Sequence, residues 1–187
     1  MSKLKHIVLA IVMNLGSLLW LFAQSYDAQW IQSPVTTTIM DFRNDTIQFR
    51  YLNNSSTAFM ATANICNKDG DFLFYTNGIN VRNRLGDIIS NGDSLSFYNP
   101  NYYSSITWGA PNDQGVIILP KPGSNNLYYI FHFVPTDTNF IFQGISYNLP
   151  THFYYSVVDM NANFGLGDVV QKNVRLPLAG VNCASRL

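Results

Sequence analysis

The residues of this chain best placed to do chemistry lie in one short stretch, Asn67-Lys68-Asp69-Gly70-Asp71, where side-chain oxygens recur at alternate positions around a glycine. That spacing matches the first half of a calcium loop, in which such oxygens converge on a hard cation. The later acidic ligand is missing, because Thr76 stands five residues beyond Asp71 and the chain contains no Glu. Asn67, Asp69 and Asp71 are thus weak calcium candidates. A hairpin turn with solvated carboxylates suits the same residues better, since Asp-Gly supplies the positive φ that a tight reversal requires.

Other reactive types are scattered. His132 and His152 are the only histidines after the N-terminal segment, and neither has a neighbouring Cys or Glu, so neither metal-ligand spacing nor a catalytic relay is present. Each is expected to be a strand histidine with its hydrogen bonds satisfied. Ser104, Ser105 and Ser156 lack the Gly-x-Ser-x-Gly setting of an activated nucleophile. Paired Asp side chains for glycoside hydrolysis can converge from distant positions, but no pair is marked by spacing. No catalytic residue and no cofactor is assigned. The rings of Tyr98, Tyr102, Tyr103 and Trp108 share the polar stretch from Asn91 to Asp113 and are weak candidates for stacking on sugars or anchoring a protein partner. Packing of that stretch onto a sheet competes with this, because burying each ring is worth roughly 1.5 to 3 kcal/mol. Cys66 and Cys183 could pair in an oxidising compartment. Two separate apolar side chains are favoured, as Cys66 sits inside a strand pattern.

The scaffold that must carry these groups is legible in the composition. Every acid is Asp, and 21 residues are Asn. Both types compete for nearby backbone groups, favouring turns and opposing helix interiors. With abundant Phe, Tyr, Val, Ile and Thr, the chain reads as short strands joined by many turns. Thr46 to Leu52 alternates, with Ile47, Phe49 and Tyr51 on one face and Gln48 and Arg50 on the other, which predicts a half-buried strand. Further strands are expected over Phe59–Cys66, Phe72–Tyr75, Ile79–Asn83, Val116–Leu119, Leu127–Val134, Phe140–Tyr147, Phe153–Met160 and Asp168–Val174. No amphipathic helix is expected after residue 23.

One unit repeats. An apolar strand, a turn of Gly, Asn and Asp, and a strand of large rings run from Ile65 to Tyr75 and again from Leu119 to Phe131, with Leu73 matching Leu127 at a separation of 54 residues. That return is close to the roughly 40 to 50 residues of a propeller blade.

The N-terminus specifies an address. Lys3 and Lys5 precede an apolar run from Ile7 to Phe22 and the small residue Ala23, the pattern of a secretory signal peptide over residues 1–23. The run is shorter than the roughly 20 residues a membrane-spanning helix needs. Cleavage would leave residues 24–187 as one domain of nearly balanced charge, with no basic cluster to attract nucleic acid or an anionic membrane.

The ordered series Ile65-Cys66-Asn67, Leu73-Phe74-Tyr75-Thr76-Asn77-Gly78, Asn91-Gly92, Val116 to Gly123, Tyr128-Tyr129-Ile130-Phe131, Tyr155 to Met160 and Gly165 to Val169 resembles the N-terminal region of large exported Bacteroidetes proteins, often labelled gliding-motility-associated or type IX secretion cargo. The likeness covers roughly Asp41 to Leu176. It implies a β-propeller followed by repeat modules and a C-terminal sorting segment, secreted or held at the cell surface. The turn at Asn67–Asp71 is also similar to the Asp-box hairpins of sialidase-type propellers, without their Ser and Trp. Asp45-Thr46-Ile47 and Asp93-Ser94-Leu95 resemble the O-glycan attachment sites of that phylum. A closed propeller takes about four to eight blades, whereas this length supplies about three or four. The expectation is therefore an all-β, incomplete propeller-like array of antiparallel sheets, truncated relative to the family, with an exposed sheet edge near Val174 to Val181. The function expected is non-catalytic binding of an extracellular glycan or protein. The alternatives are a propeller-type carbohydrate-active hydrolase and an inactive fragment.

Overall fold

The computed structural model describes residues 25–32, 36–52, 61–95, 109–110, 115–142 and 145–177. Among them the chain is all strand and turn apart from one short 3-10 turn, Asn163–Gly165. The expected signal peptide (1–23), the rings of Tyr98, Tyr102, Tyr103 and Trp108, and Cys183 lie outside the described residues.

Among the described residues ten strands form three antiparallel sheets. The first is β1 (Gln29–Gln32), β2 (Thr38–Asp41) and β3 (Gln48–Tyr51), and the second is β4 (Ala63–Cys66), β5 (Phe72–Thr76) and β6 (Val81–Asn83), each paired in chain order. The third joins β7 (Val116–Pro120), β8 (Leu127–Phe142), β9 (Ile145–Asp159) and β10 (Asp168–Arg175), again in chain order. Both copies of the repeated unit are hairpins, β4–β5 and β7–β8.

The second sheet is the middle layer. Ile65, Phe74 and Val81 pack with Val116, Ile118, Tyr128, Ile130, Val158 and Val169 of the third sheet. Phe72 and Tyr75 pack with Ile39 and Leu52 beside the first. A strand covered on both faces needs apolar residues without alternation, and this is why β5 reads Phe72-Leu73-Phe74-Tyr75. Phe72 and Tyr75, three apart, would ordinarily point to opposite faces. The register steps from Ile65↔Phe74 to Cys66↔Phe72, a bulge that turns both rings toward the first sheet with centroids 6.2 Å apart.

Asparagine builds the reversals between strands. Asn67 Oδ1 accepts from the amides of Asp69 and Asp71, Asn77 Oδ1 from those of Ile79 and Asn80, and Asn83 Oδ1 from those of Leu85 and Asp87. Each carboxamide replaces a backbone carbonyl in closing the loop, so Asn77 and Asn83 can be buried at little cost. The layers are stitched in the same manner. Asn64 donates to the Gln29 carbonyl and accepts from the Ile31 amide, joining β4 to β1, while Asn91 Nδ2 donates to the Val169 carbonyl on β10.

Two expectations are corrected. The apolar face of β3 is not buried: Phe49 is 59% and Tyr51 65% exposed, and Ile47 is equally open. The strand forms by pairing with β2, but nothing among the described residues covers its outer face. Phe140–Tyr147 is not one strand either, since β8 ends at Phe142 and β9 begins at Ile145, placing a hairpin within it. The edge expected near Val174 falls on β10, which pairs with β9 on one side and on the other is met near its start by Ser90, through a parallel bridge to Asp168; residues 178–181 lie outside the described residues.

The stack therefore ends in two apolar faces. Trp30, Met40 and Phe49 are aligned in one row across the first sheet. On the far side of the third sheet Leu119 pairs with Tyr129 and Ile117 with Phe131, next to Tyr155 and Phe153. Phe131 and Phe153 stack there at 5.8 Å, and Ile117 and Leu119 remain exposed.

Candidate functional site

The first and second sheets do not meet along their whole width. Ile39, Leu52, Phe72 and Tyr75 close the gap beneath β2, but the inner face of β3 carries Gln48 and Arg50, which are too polar to be buried against β5. The sheets diverge there and leave an open cleft of about 710 Å³. Its first-sheet wall is Gln29, Ile39, Asp41, Arg43, Gln48, Phe49 and Arg50, and its second-sheet wall is Asn67, Asp71, Phe72, Leu73, Arg84 and Leu85.

Arg43 organises the deep side. Its Nε and Nη2 grip the two oxygens of Asp41 at 2.9 and 2.6 Å, while Nη1 reaches Asp71 Oδ1 at 2.8 Å. One guanidinium thus joins carboxylates from both sheets. These hydrogen bonds hold the Asp41 carboxyl below its ordinary range, with the charges of Arg43 and Arg50 acting in the same direction. The bonds to Asp41 and Asp71 likewise hold Arg43 protonated. Because the group is half-open to water, it fixes geometry more than it adds stability. Its support is Gly70, at φ +87°, where an added Cβ would lie 3.0 Å from Arg43 Cδ. Gln29, buried below, donates from Nε2 to the Gly70 carbonyl.

The mouth is built differently. Arg50 extends from edge strand β3 and donates from Nη1 to the Arg84 carbonyl at 3.4 Å. Arg84 itself donates to the Gly165 carbonyl at 2.8 Å, tying the β6 turn to the third sheet.

Of the residues singled out by sequence, Asn67 and Asp71 reach this cleft and Asp69 does not. Asn67 Oδ1 is engaged by two turn amides, Asn67 Nδ2 reaches Asp71 Oδ2, and Asp71 Oδ1 is held by Arg43. These oxygens close a turn and an ion pair rather than facing a common point. No group of three or more His, Cys or Asp side chains arranged to hold a metal occurs among the described residues. Arg43, Arg50, Arg84, Asp41 and Gln48 escaped the sequence reading. The signal for part of the set was there, in Gln48 and Arg50 alternating with Phe49 and Tyr51.

His132 is buried in β8 as a strand histidine, but the expected hydrogen bonds are absent. Neither ring nitrogen has a partner, and the ring stacks against Tyr154 at 6.0 Å. Burial alone brings its pKa down to about 4, so the imidazole is neutral. Cys66 is a buried free thiol that burial pushes up to about 11.

The fold and site together define an all-β protein of three stacked antiparallel sheets with a charged inter-sheet cleft. Comparison with protein-family models, with curated proteins and with solved structures finds no match to the chain.

Proposed function

We propose that this chain is an exported, non-catalytic binding module whose three sheets are successive blades of a propeller-like array and whose ligand occupies the cleft between the first two. The basic and apolar N-terminal segment supports export. Two observations support the blade reading: the middle sheet is buried on both faces, and the outer faces at both ends remain apolar, the condition in which a further sheet could pack. An extracellular glycan or protein segment is the ligand class in keeping with that address.

The observation that carries the binding reading is the cleft itself, a concave site walled by rings, amides and guanidiniums within the size range of small-ligand sites. A propeller-type hydrolase is the second reading, favoured by Asp41 and Asp71 lining one cleft. Glycoside hydrolysis needs one carboxyl kept protonated as the acid. Arg43 works against this by holding Asp41 ionised.

Backbone amide spectra of the purified chain, recorded during titration with a panel of oligosaccharides, test the proposal. Binding moves the signals of Gln48, Arg50, Asn67 and Leu85 and leaves the saccharide intact. Release of reducing ends, abolished by Asp41→Asn, would replace it with the hydrolase.

A further inference from the structure

The charges on the cleft wall are not balanced where a ligand would enter. Three guanidiniums and two carboxylates line the cleft, and both carboxylates are taken by Arg43. Arg50 and Arg84 have no carboxylate within ion-pair distance among the described residues, where the remaining ion pair, Lys172 with Asp93, lies elsewhere. Each spends one N–H on a backbone carbonyl. A guanidinium has five such donors in a planar fork, so about four on each remain for a ligand.

Arg50 crosses the mouth from β3 to the Arg84 carbonyl in the turn after β6, and both arginines line the cleft. The walls behind them are Ile39, Phe72, Leu73 and Leu85. Apolar walls of low dielectric concentrate the field of the two uncompensated cations, which a flat surface would let water screen.

We infer that the cleft takes an acidic saccharide, with Arg50 and Arg84 clamping a carboxylate or sulfate of the ligand. This rests on the cleft being the ligand site. Planar carboxylates and tetrahedral sulfates both accept paired N–H donors from guanidinium. Two free cations in a cleft of this size suit one or two anionic groups. They do not suit a nucleic acid, whose binding depends on neutralising many phosphates along an extended surface.

The test is calorimetric titration of the purified chain with three probes: a trigalacturonate, carrying only carboxylates; a short heparin-derived oligosaccharide, carrying sulfates as well; and neutral cellotriose. The same titrations are run on the Arg50→Gln, Arg84→Gln double variant. Both side chains are exposed, and the variant should unfold at the same temperature as the parent, which separates lost binding from lost folding. Binding of either acidic probe about tenfold or more tighter than cellotriose, weakened about tenfold or more by the double variant, supports the inference. Which acidic probe binds tighter identifies the oxyanion. Cellotriose binding as tightly as the acidic probes, unchanged in the variant, overturns the oxyanion clamp and leaves the cleft as a neutral-glycan site. No binding of any probe, with no amide signals of the cleft moving, overturns the clamp and the binding reading together.

Discussion

His132 should make the stability of this protein fall in mildly acidic solution, in a window where nothing else described here does. The ring is 1% exposed, lies opposite Val116 and Tyr154 in the sheet, and has no hydrogen-bond partner at either nitrogen. Charging it would bury an unpaired cation, and its pKa is accordingly lowered from 6.5 to about 4. In the unfolded chain the ring protonates near the ordinary value. The unfolded state therefore binds the extra proton between those two pH values, and stability is complete above about 6.5 and lost progressively as pH falls toward 4. The shift corresponds to about 3 kcal/mol, a large share of a domain's usual margin of about 5–15 kcal/mol. Asp41 and Asp93 are held below the usual carboxylate value by Arg43 and Lys172, so they stabilise above that value and their loss comes at lower pH. Denaturant unfolding of the parent and of His132→Phe, followed from neutral pH down to about 4.5, isolates the effect. Phe keeps the stacked ring and removes both unpartnered nitrogens, so the variant should be at least as stable at neutral pH and nearly flat across the window. Equal slopes for the two proteins, or a His132 midpoint near 6.5 in an NMR titration, would refute the reasoning.

Three further outcomes are expected. Phe74→Ala, at a fully buried ring in the middle sheet, should cost about 3–5 kcal/mol in denaturant unfolding, while Phe49→Ala on the open face of β3 should change stability by less than about 0.5 kcal/mol. A large effect at Phe49 would mean that its face is covered in solution. Gly70→Ala should lower stability by about 1–3 kcal/mol, because the position has φ +87° and the new Cβ would press on the Arg43 stem; an unchanged melting temperature would count against that strain. The buried Cys66 thiol should resist alkylation by iodoacetamide in the native chain at mildly alkaline pH and react only after denaturant is added, as mass spectrometry of its peptide would read; rapid native labelling would contradict the burial.

Strand content and turn positions were legible because they depend on local chemistry. Asn67-Lys68-Asp69-Gly70 closes its own hairpin through Asn67 Oδ1, and the apolar residues Phe72 to Tyr75 after it announce the second strand. Where the reading failed, partners distant in sequence decided. Ile47, Phe49 and Tyr51 alternate as a buried face would, but alternation states only that two faces differ, not that something lies against each. The stretch from Phe140 to Tyr147 hid a hairpin because apolar and aromatic residues, Phe140 to Phe142 and then Ile145 and Tyr147, flank Gln143-Gly144 on both sides. His132 was expected to find hydrogen bonds, and the strand on each side of it offers none.

The chain by itself determined that the protein would be sheet and tight turn, since absent Glu, abundant Asn and short apolar runs leave the backbone few other ways to satisfy its own hydrogen bonds. Only the tertiary structure decided that the second sheet would be the middle layer, and that Arg43 would hold Asp41 and Asp71 while Arg50 and Arg84 stay uncompensated. Asp41 and Asp71 lie thirty residues apart and belong to different sheets. Their meeting depends on how two layers stack and diverge, and that is set by the sizes of Ile39, Phe72 and Tyr75 packed between them, which no local pattern encodes.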